Sequence, residues 1–407
     1  MRLLKRSCKL LCIVILFCSF VLYNFSFTDC FCINAVAEEY HIGDIIEYGN
    51  YPQTDVTNEL GEVLNEQNGT WISYKYYSGT GVFDDGQMAQ SDYMKFKDVI
   101  YKGNKYRGVL FESYRPYCTG LTQADNNQNQ FGYLTDITYW FKYDSLKWRV
   151  LDPSSGLIMC DSIIDCQAYN NYIISNRNAY WGDPAQTYYA NDYASSSIRY
   201  WLNNDFFNTA FWDSQKTNIK TTMLNNNCYL TLIGHSGFEK YDSKNTQDKV
   251  FLLSYNEVLN SSYGFNVAWD NYDSNRQKKP TDYAKCQGSG GIKDNRNAYN
   301  GYSTWMLRTP SEDTLHSALV SYDGVVYNST AFVMEGLDGI CPAMQLEVIK
   351  NDIAGLCSEI PYNEVITNSN SNSITSTSNI IIYALVAVII ILLFIIILIL
   401  KKKEKEK

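Results

Sequence analysis

A serine nucleophile on a strand-to-helix elbow needs the pattern G-x-S-x-G, because glycine on both sides permits the strained turn. The nearest match is GHSGF at residues 234–238, where Phe238 stands in the place of the second glycine. His235 beside Ser236 therefore reads as an exposed turn. The other histidines, His41 and His316, show no acidic or metal-ligand partner at a recognised spacing. Glycoside cleavage requires two carboxylates converging from separate loops, which spacing along the chain does not reveal. GSGG at 288–291 lacks the lysine and the strand-to-helix setting of a phosphate loop. DNYDSN at 270–275 gathers oxygen ligands of the kind calcium takes, but without the D-x-[DN]-x-[DN]-G loop; the alternative is a solvated polar turn. No catalytic residue and no other cofactor is indicated.

The residue types favour recognition instead. The chain holds 34 Tyr, 18 Phe and 8 Trp, and several of these rings lie in stretches rich in Asn, Asp and Gly. Trp181, Tyr188, Tyr189, Trp269, Tyr272 and Tyr302, with Asp270 beside them, are the candidate ligand-binding residues. Exposed rings of this kind stack on sugar faces or pack on a partner protein, with Asn and Asp supplying hydrogen bonds. Half of them are expected to be core rings instead. A binding or adhesion module for a glycan or protein is the leading reading. An extracellular enzyme acting on cell-wall or host glycans or peptides is the alternative, and a structural envelope role the third.

These residues need an address and a scaffold. Arg2, Lys5, Arg6 and Lys9 precede an apolar run at 10–22, and AVA at 35–37 fits the small-x-small cleavage rule. Residues 1–37 read as a secretory signal, with a retained N-terminal anchor as the alternative. Residues 380–400 carry no charge over 21 positions, about the thickness of a bilayer core at 1.5 Å per residue. They are expected to form a transmembrane helix. Five lysines follow within 401–407, so the positive tail belongs on the cytoplasmic side and the domain outside. The Asn/Ser/Thr-rich stretch before the helix makes 349–379 a polar tether. The expected location is the cell membrane, with one pass and the lipid bilayer as a partner.

Of 34 Lys/Arg and 43 Asp/Glu, 9 and 3 fall in the two terminal segments, leaving 25 against 40 in the middle. That excess of acid repels a phosphate backbone and excludes nucleic acid as a partner. Five of the 12 cysteines precede Glu38. The remaining seven are an odd set, for which burial as thiols is the default and Cys160 with Cys166 the best-placed local pair.

Short apolar or alternating runs between polar turns predict a loop-rich α+β domain over 38–348. Strands are expected at 42–48 and 249–253, and hairpins at 99–111, 148–159 and 318–327. A helix is expected from Ser195–Ser197, with Ile198, Trp201 and Leu202 on one face and a break at Asn203 and Asn204. A second runs over 213–221 with Asp213 as cap and Ile219 facing in. A third starts at the capping box of Ser254 and Glu257.

The blocks GDII (43–46), YGNYPQ (48–53), WRVLD (148–152), SIRYWLN (197–203), DKVFLLS (248–254), TDYA (281–284), WMLRTP (305–310) and GICPA (339–343) occur in an order that resembles a bacterial family, domain of unknown function 6273. The resemblance spans residues 40–348, with 56–140 as an insertion. Cys341 stands where that family usually has arginine. WMLRTP and the closing G-x-x-P-A also resemble the C-terminal half of C-type-lectin-like and formylglycine-generating-enzyme-like folds, in which a core-strand arginine holds loops that present a ligand surface. This likeness implies structural roles for Trp148, Arg199, Trp201, Trp305, Arg308 and Pro342. It also implies that Arg308 bonds backbone carbonyls or a core carboxylate. The W-N-D triplet of sugar-binding lectins is absent, since residues 269–271 read WDN.

Overall fold

The computed structural model of the chain describes residues 40–74, 94–112, 114, 127–170, 189–293, 297–333 and 338–349. All lie in one compact unit, Met1–Glu359. The residues expected to be a secretory signal, most of those expected to be a tether, the apolar segment at 380–400 and the lysine tail lie outside the described residues. Among the described residues no helix is long and apolar enough to cross a membrane.

The described chain is α+β, three sheets joined by short helices and long loops. The largest sheet is built on β5 (Tyr139–Asp152), which pairs antiparallel with β1 (Ile45–Asp55), β4 (Asn104–Phe111) and β6 (Leu157–Cys160). Beyond β4 lie β3 (Met94–Tyr101) and β2 (Ile72–Ser73); beyond β6 lie β15 (Ala343–Gln345) and β10 (Val250–Phe251). The second sheet has the order β13 (Val326–Phe332), β12 (His316–Val320), β11 (Trp305–Pro310), β14 (Gly339–Ile340), β7 (Asp165–Cys166). A third pairs β8 (Thr222–Leu224) with β9 (Thr246–Asp248). All three expected hairpins form, turning at Lys102 and Gly103, at 153–156 and at 321–325.

Buried and less buried residues alternate along the second half of β5, where Leu146, Trp148 and Val150 share one side, and Phe141 joins them in one continuous core. The register of β1 slips between Glu47 and Asn50. Gly49, at φ +75°, makes this slip possible, because a Cβ there would lie 2.6 Å from the Phe211 ring. Trp148 locks the slip by donating its indole N–H to the Tyr48 carbonyl at 2.7 Å.

The helix Ser197–Trp201 is capped by Ser196, whose hydroxyl accepts the Arg199 N–H. Ile198, Trp201 and Leu202 are buried, as their spacing predicts. The expected break at Asn203 does not occur. The chain widens into a π turn, Leu202–Phe206, and continues as Phe207–Ala210. The wider turn serves Asn203, whose amide donates to the Val250 carbonyl at 2.9 Å and accepts from the Lys249 N–H at 2.9 Å. The next helix is Asp213–Thr217, shorter than expected. Its cap position is Trp212, whose N–H donates to the Gln215 side chain, so Asp213 lies in the first turn rather than capping it.

Ser254 and Glu257 make both bonds of a capping box, at 2.7 and 3.3 Å. The box opens only one 3-10 turn, Glu257–Leu259, instead of a longer helix. The turn ends because the backbone becomes extended at Asn260, at φ −84° and ψ 114°. The box carboxylate is also gripped by Arg308 of β11, with Nη1 to Oε2 at 2.5 Å and Nη2 to Oε1 at 3.0 Å. Arg308 also donates to the Leu252 carbonyl at 2.7 Å. Burial, the largest single effect, works to raise the Glu257 carboxyl, but the Arg308 charge and the hydrogen bonds from Arg308 and Ser254 together outweigh it and hold the group below its ordinary value.

Cys160 is a free, buried thiol, so the local pairing with Cys166 does not form. The two belong to different sheets, and Cys166 donates to the Asp338 carbonyl at 3.5 Å. Cys341, in the position of the family's arginine, is buried and donates its thiol to the Cys160 carbonyl at 2.9 Å.

Removing one partner of a buried pair strands the other charge, which costs about 3–5 kcal/mol. Glu257→Gln is expected to lower the free energy of urea unfolding by about that amount at neutral pH. The gap between wild type and variant should close as pH falls below about 4.3, because a depressed carboxyl contributes stability above its unfolded value and loses it on protonation. A gap that stays constant with pH would mean the carboxylate charge is not what holds Arg308.

Candidate binding surface

Residues 264–281 contain no helix or strand, yet the loop is tied down throughout by Arg276. This guanidinium is 0% exposed and uses all five of its N–H donors on backbone carbonyls. Nε donates to Gly324 at 2.6 Å, Nη1 to Val258 at 3.3 Å and Asn266 at 2.9 Å, and Nη2 to Ala268 at 3.2 Å and Asn271 at 2.8 Å. Desolvation lowers its pKa, and Asp273, at 3.5 Å, acts in the opposite direction. Asp273 closes the loop from inside, accepting the N–H groups of Asn266 and Asn275. Trp305 adds an indole N–H to the Arg276 carbonyl at 2.9 Å.

The loop is held against the hairpin turn between β12 and β13. Gly324, at φ +87°, sits so close that a Cβ would lie 2.3 Å from the Asp273 carbonyl oxygen. Gln277 donates to the Asp323 carbonyl, and the Val326 N–H to the Trp269 carbonyl. Trp269 is left 50% exposed and Tyr272 68% exposed. Tyr272 meets Tyr299 at 5.9 Å between ring centroids, and Tyr299 meets Tyr322 at 5.8 Å, with interplanar angles of 34° and 55°. Desolvation, then Tyr272 and the Asp323 carboxylate, raise the Tyr299 phenol above its ordinary value. Asp270 is exposed and makes no hydrogen bond or ion pair among the described residues.

Of the candidate binding residues, Trp269, Asp270 and Tyr272 come together on this surface. Tyr302 is half-buried, and Lys279 occupies its face at 4.7 Å. Tyr189 is half-buried against Tyr241 at 5.7 Å, in a different cluster. Trp181 and Tyr188 lie outside the described residues. The calcium reading of 270–275 loses its central ligand, because the Asp273 carboxylate is committed to two amides and Arg276. Among the described residues no group of three acidic, His or Cys side chains converges as a metal site.

The residues expected to be structural occupy the core or its braces. Trp148 and Trp305 are fully buried, and Trp201 nearly so. Arg199 grips the buried Asp248 with Nε at 2.8 Å and Nη2 at 2.7 Å. The Pro342 carbonyl accepts the Cys160 N–H at 2.8 Å. Arg276, Tyr299 and Tyr322 escape the sequence reading. A polar loop this long without regular structure needs an internal organiser for its carbonyls, and an arginine three residues after Asp273 is the available signal for it.

Elsewhere, two histidines correct expectation. Both have an acidic partner three residues away, His41 with Asp44 and His316 with Asp313, the latter at 2.6 Å through Nδ1. Among the described residues no hydroxyl or thiol is hydrogen-bonded to the His316 ring, so the pair has an orienting carboxylate and no nucleophile. His235 and Ser236 lie in an exposed turn, as expected. A polar cleft of about 340 Å³ is lined by Gln53, Thr54, Asp144, Ser145, Lys147, Cys160 and Ser162. Burial pushes its thiol, Cys160, up to about 12, so it is not a thiolate at neutral pH.

Residues 157–348 match the model of a family described as Domain of unknown function (DUF6273). No curated protein and no solved structure matches the chain. The matched segment begins at β6, so the GDII, YGNYPQ and WRVLD blocks precede it. The aromatic loop, Arg276, Arg308 and the hairpin at Gly324 all fall inside it.

Lysine in place of Arg276 brings three donors to five carbonyls, and Arg276→Lys is expected to destabilise the fold by about 3 kcal/mol or more. Limited proteolysis checks the cause: new cleavage should appear between 264 and 275 before the rest of the chain is cut. Destabilisation with no change in cleavage pattern would show that the loop does not depend on this side chain.

Proposed function

We propose that the protein is a membrane-anchored binding module, holding its domain outside the cell and meeting a glycan or protein ligand with the surface around Trp269 and Tyr272. The observation that carries this reading is the exposure of these two rings on a loop whose backbone is bonded rigidly from beneath. Aromatic side chains left in water next to a free carboxylate are the usual make-up of a recognition surface, since each ring offers a large contact area at low entropic cost. The charge-free run at 380–400, the lysine tail and the N-terminal apolar segment support the anchored, outward-facing arrangement. The bracing of Arg308 beneath the surface loops supports a lectin-like division of labour, in which a core-strand arginine secures the loops that recognise ligand.

The full chain, in phosphatidylglycerol nanodiscs that contain neither sugar nor choline, is expected to retain specific members of an array of glycans and surface proteins. Trp269→Ala and Tyr272→Ala should each weaken that retention by about 1 kcal/mol, roughly fivefold, with unchanged melting. Chelator should have no effect. Retention that survives both substitutions would remove this surface from the function.

A further inference from the structure

Three aromatic rings in contact offer several adjoining π faces, and their electrostatic character selects a ligand class. The Tyr272 and Tyr299 rings are inclined by 34° and the Tyr299 and Tyr322 rings by 55°, with centroids 5.9 and 5.8 Å apart, so the three lie in one contiguous aromatic cluster. Carboxylates flank the cluster along the chain: Asp270 is exposed two residues before Tyr272, and Asp323 follows Tyr322 directly and acts on the Tyr299 phenol. Among the described residues no lysine or arginine stands over any of these three rings, although Lys279 does so on neighbouring Tyr302. The chain as a whole carries a net charge of -9. Ring quadrupoles and carboxylates act in the same direction, and both favour a cation.

The kind of cation follows from desolvation. A primary ammonium is strongly hydrated and needs an acceptor for each of its three N–H groups. One oxygen of Asp323 already accepts the Val325 N–H at 3.1 Å, and the rings accept only weakly. A trimethylammonium group has no N–H to satisfy, sheds water readily and presents a broad positive surface to the rings. We propose that this surface receives a quaternary ammonium group of the choline type, resting on Tyr272, Tyr299 and Tyr322 with Asp323 and Asp270 as counter-charges. The inference depends on the binding role proposed above and specifies its ligand.

The test is isothermal titration of the full chain, in the same nanodiscs, with choline chloride and with its neutral isostere, in which a quaternary carbon replaces the nitrogen. Choline is expected to bind in the millimolar range, and the isostere about tenfold more weakly or not at all. Tyr272→Leu and Asp323→Asn should each weaken choline binding by about two- to fivefold, while Tyr272→Phe leaves it unchanged. Asparagine keeps an acceptor for the Val325 N–H, so the turn is expected to stay folded. Equal binding of choline and isostere, or binding indifferent to Tyr272→Leu and Asp323→Asn, overturns the inference. Silence toward choline by a chain that still retains an array ligand through Trp269 overturns the cation and leaves the binding role standing. Silence in both assays from a folded chain overturns both.

Discussion

A guanidinium withdrawn from water is tolerable only if every N–H finds an acceptor, and Arg276 meets that condition with five carbonyls from three separate stretches of backbone. The constraint works in both directions. Four of the five carbonyls belong to chain with no helix or strand to satisfy them, and the arginine is buried among all five. The 3-10 turn at Val258, the loop from 266 to 271 and the hairpin at Gly324 thus meet at one side chain. The exposed rings are held in place by this arrangement.

The same device recurs wherever short elements must be joined. Arg308 ties β11 to the 3-10 turn through Glu257, and Arg199 ties its helix to β9 through Asp248. Arg107 of β4 donates to Asp98 of β3 at 2.8 and 2.9 Å, and Tyr143 of β5 donates to the same carboxylate. There burial opposes ionisation, yet Arg107 keeps the Asp98 carboxyl down at about 2. Among the described residues the helices are mostly one turn long, so helical hydrogen bonds cannot carry the fold there. Paired charges between elements take over that work, and each is sensitive to loss of one partner.

This explains which parts of the fold were legible in the sequence. The recognised blocks contain residues whose chemistry is tied to one place: Arg199 and Asn203 in SIRYWLN, Asp248 in DKVFLLS, Thr281 capping its helix in TDYA, Arg308 in WMLRTP. Hairpins were readable because alternation and turn residues are local signals. Helix lengths were not, because tertiary partners decide them. Glu257 has a sound capping box and still makes one turn, since the chain becomes extended at Asn260 while Arg308 fixes the carboxylate from β11. Asn203 looked like a helix breaker until its amide found β10. At the binding surface, Trp269 and Tyr272 could be singled out by their polar surroundings. Tyr299 and Tyr322 could not, because they reach Tyr272 only through the docking of three loops far apart in the chain.

Leaving Trp269 and Tyr272 in water forgoes burial that either ring could have supplied, so the arrangement needs a physical justification. A ligand that must order a loose loop loses part of its binding energy to that ordering, whereas a surface already bonded in place does not. Arg276 and Asp273 bind the loop to itself, and Gly324 allows the hairpin to approach at backbone distance. The rings therefore meet a ligand with little conformational freedom left to lose. That preorganisation matters most for weak contacts, such as a sugar face or a methylated cation on tyrosine, where each ring contributes only about 1 kcal/mol. A mobile loop would consume a gain that small; the buried guanidinium beneath it is what allows several such contacts to add.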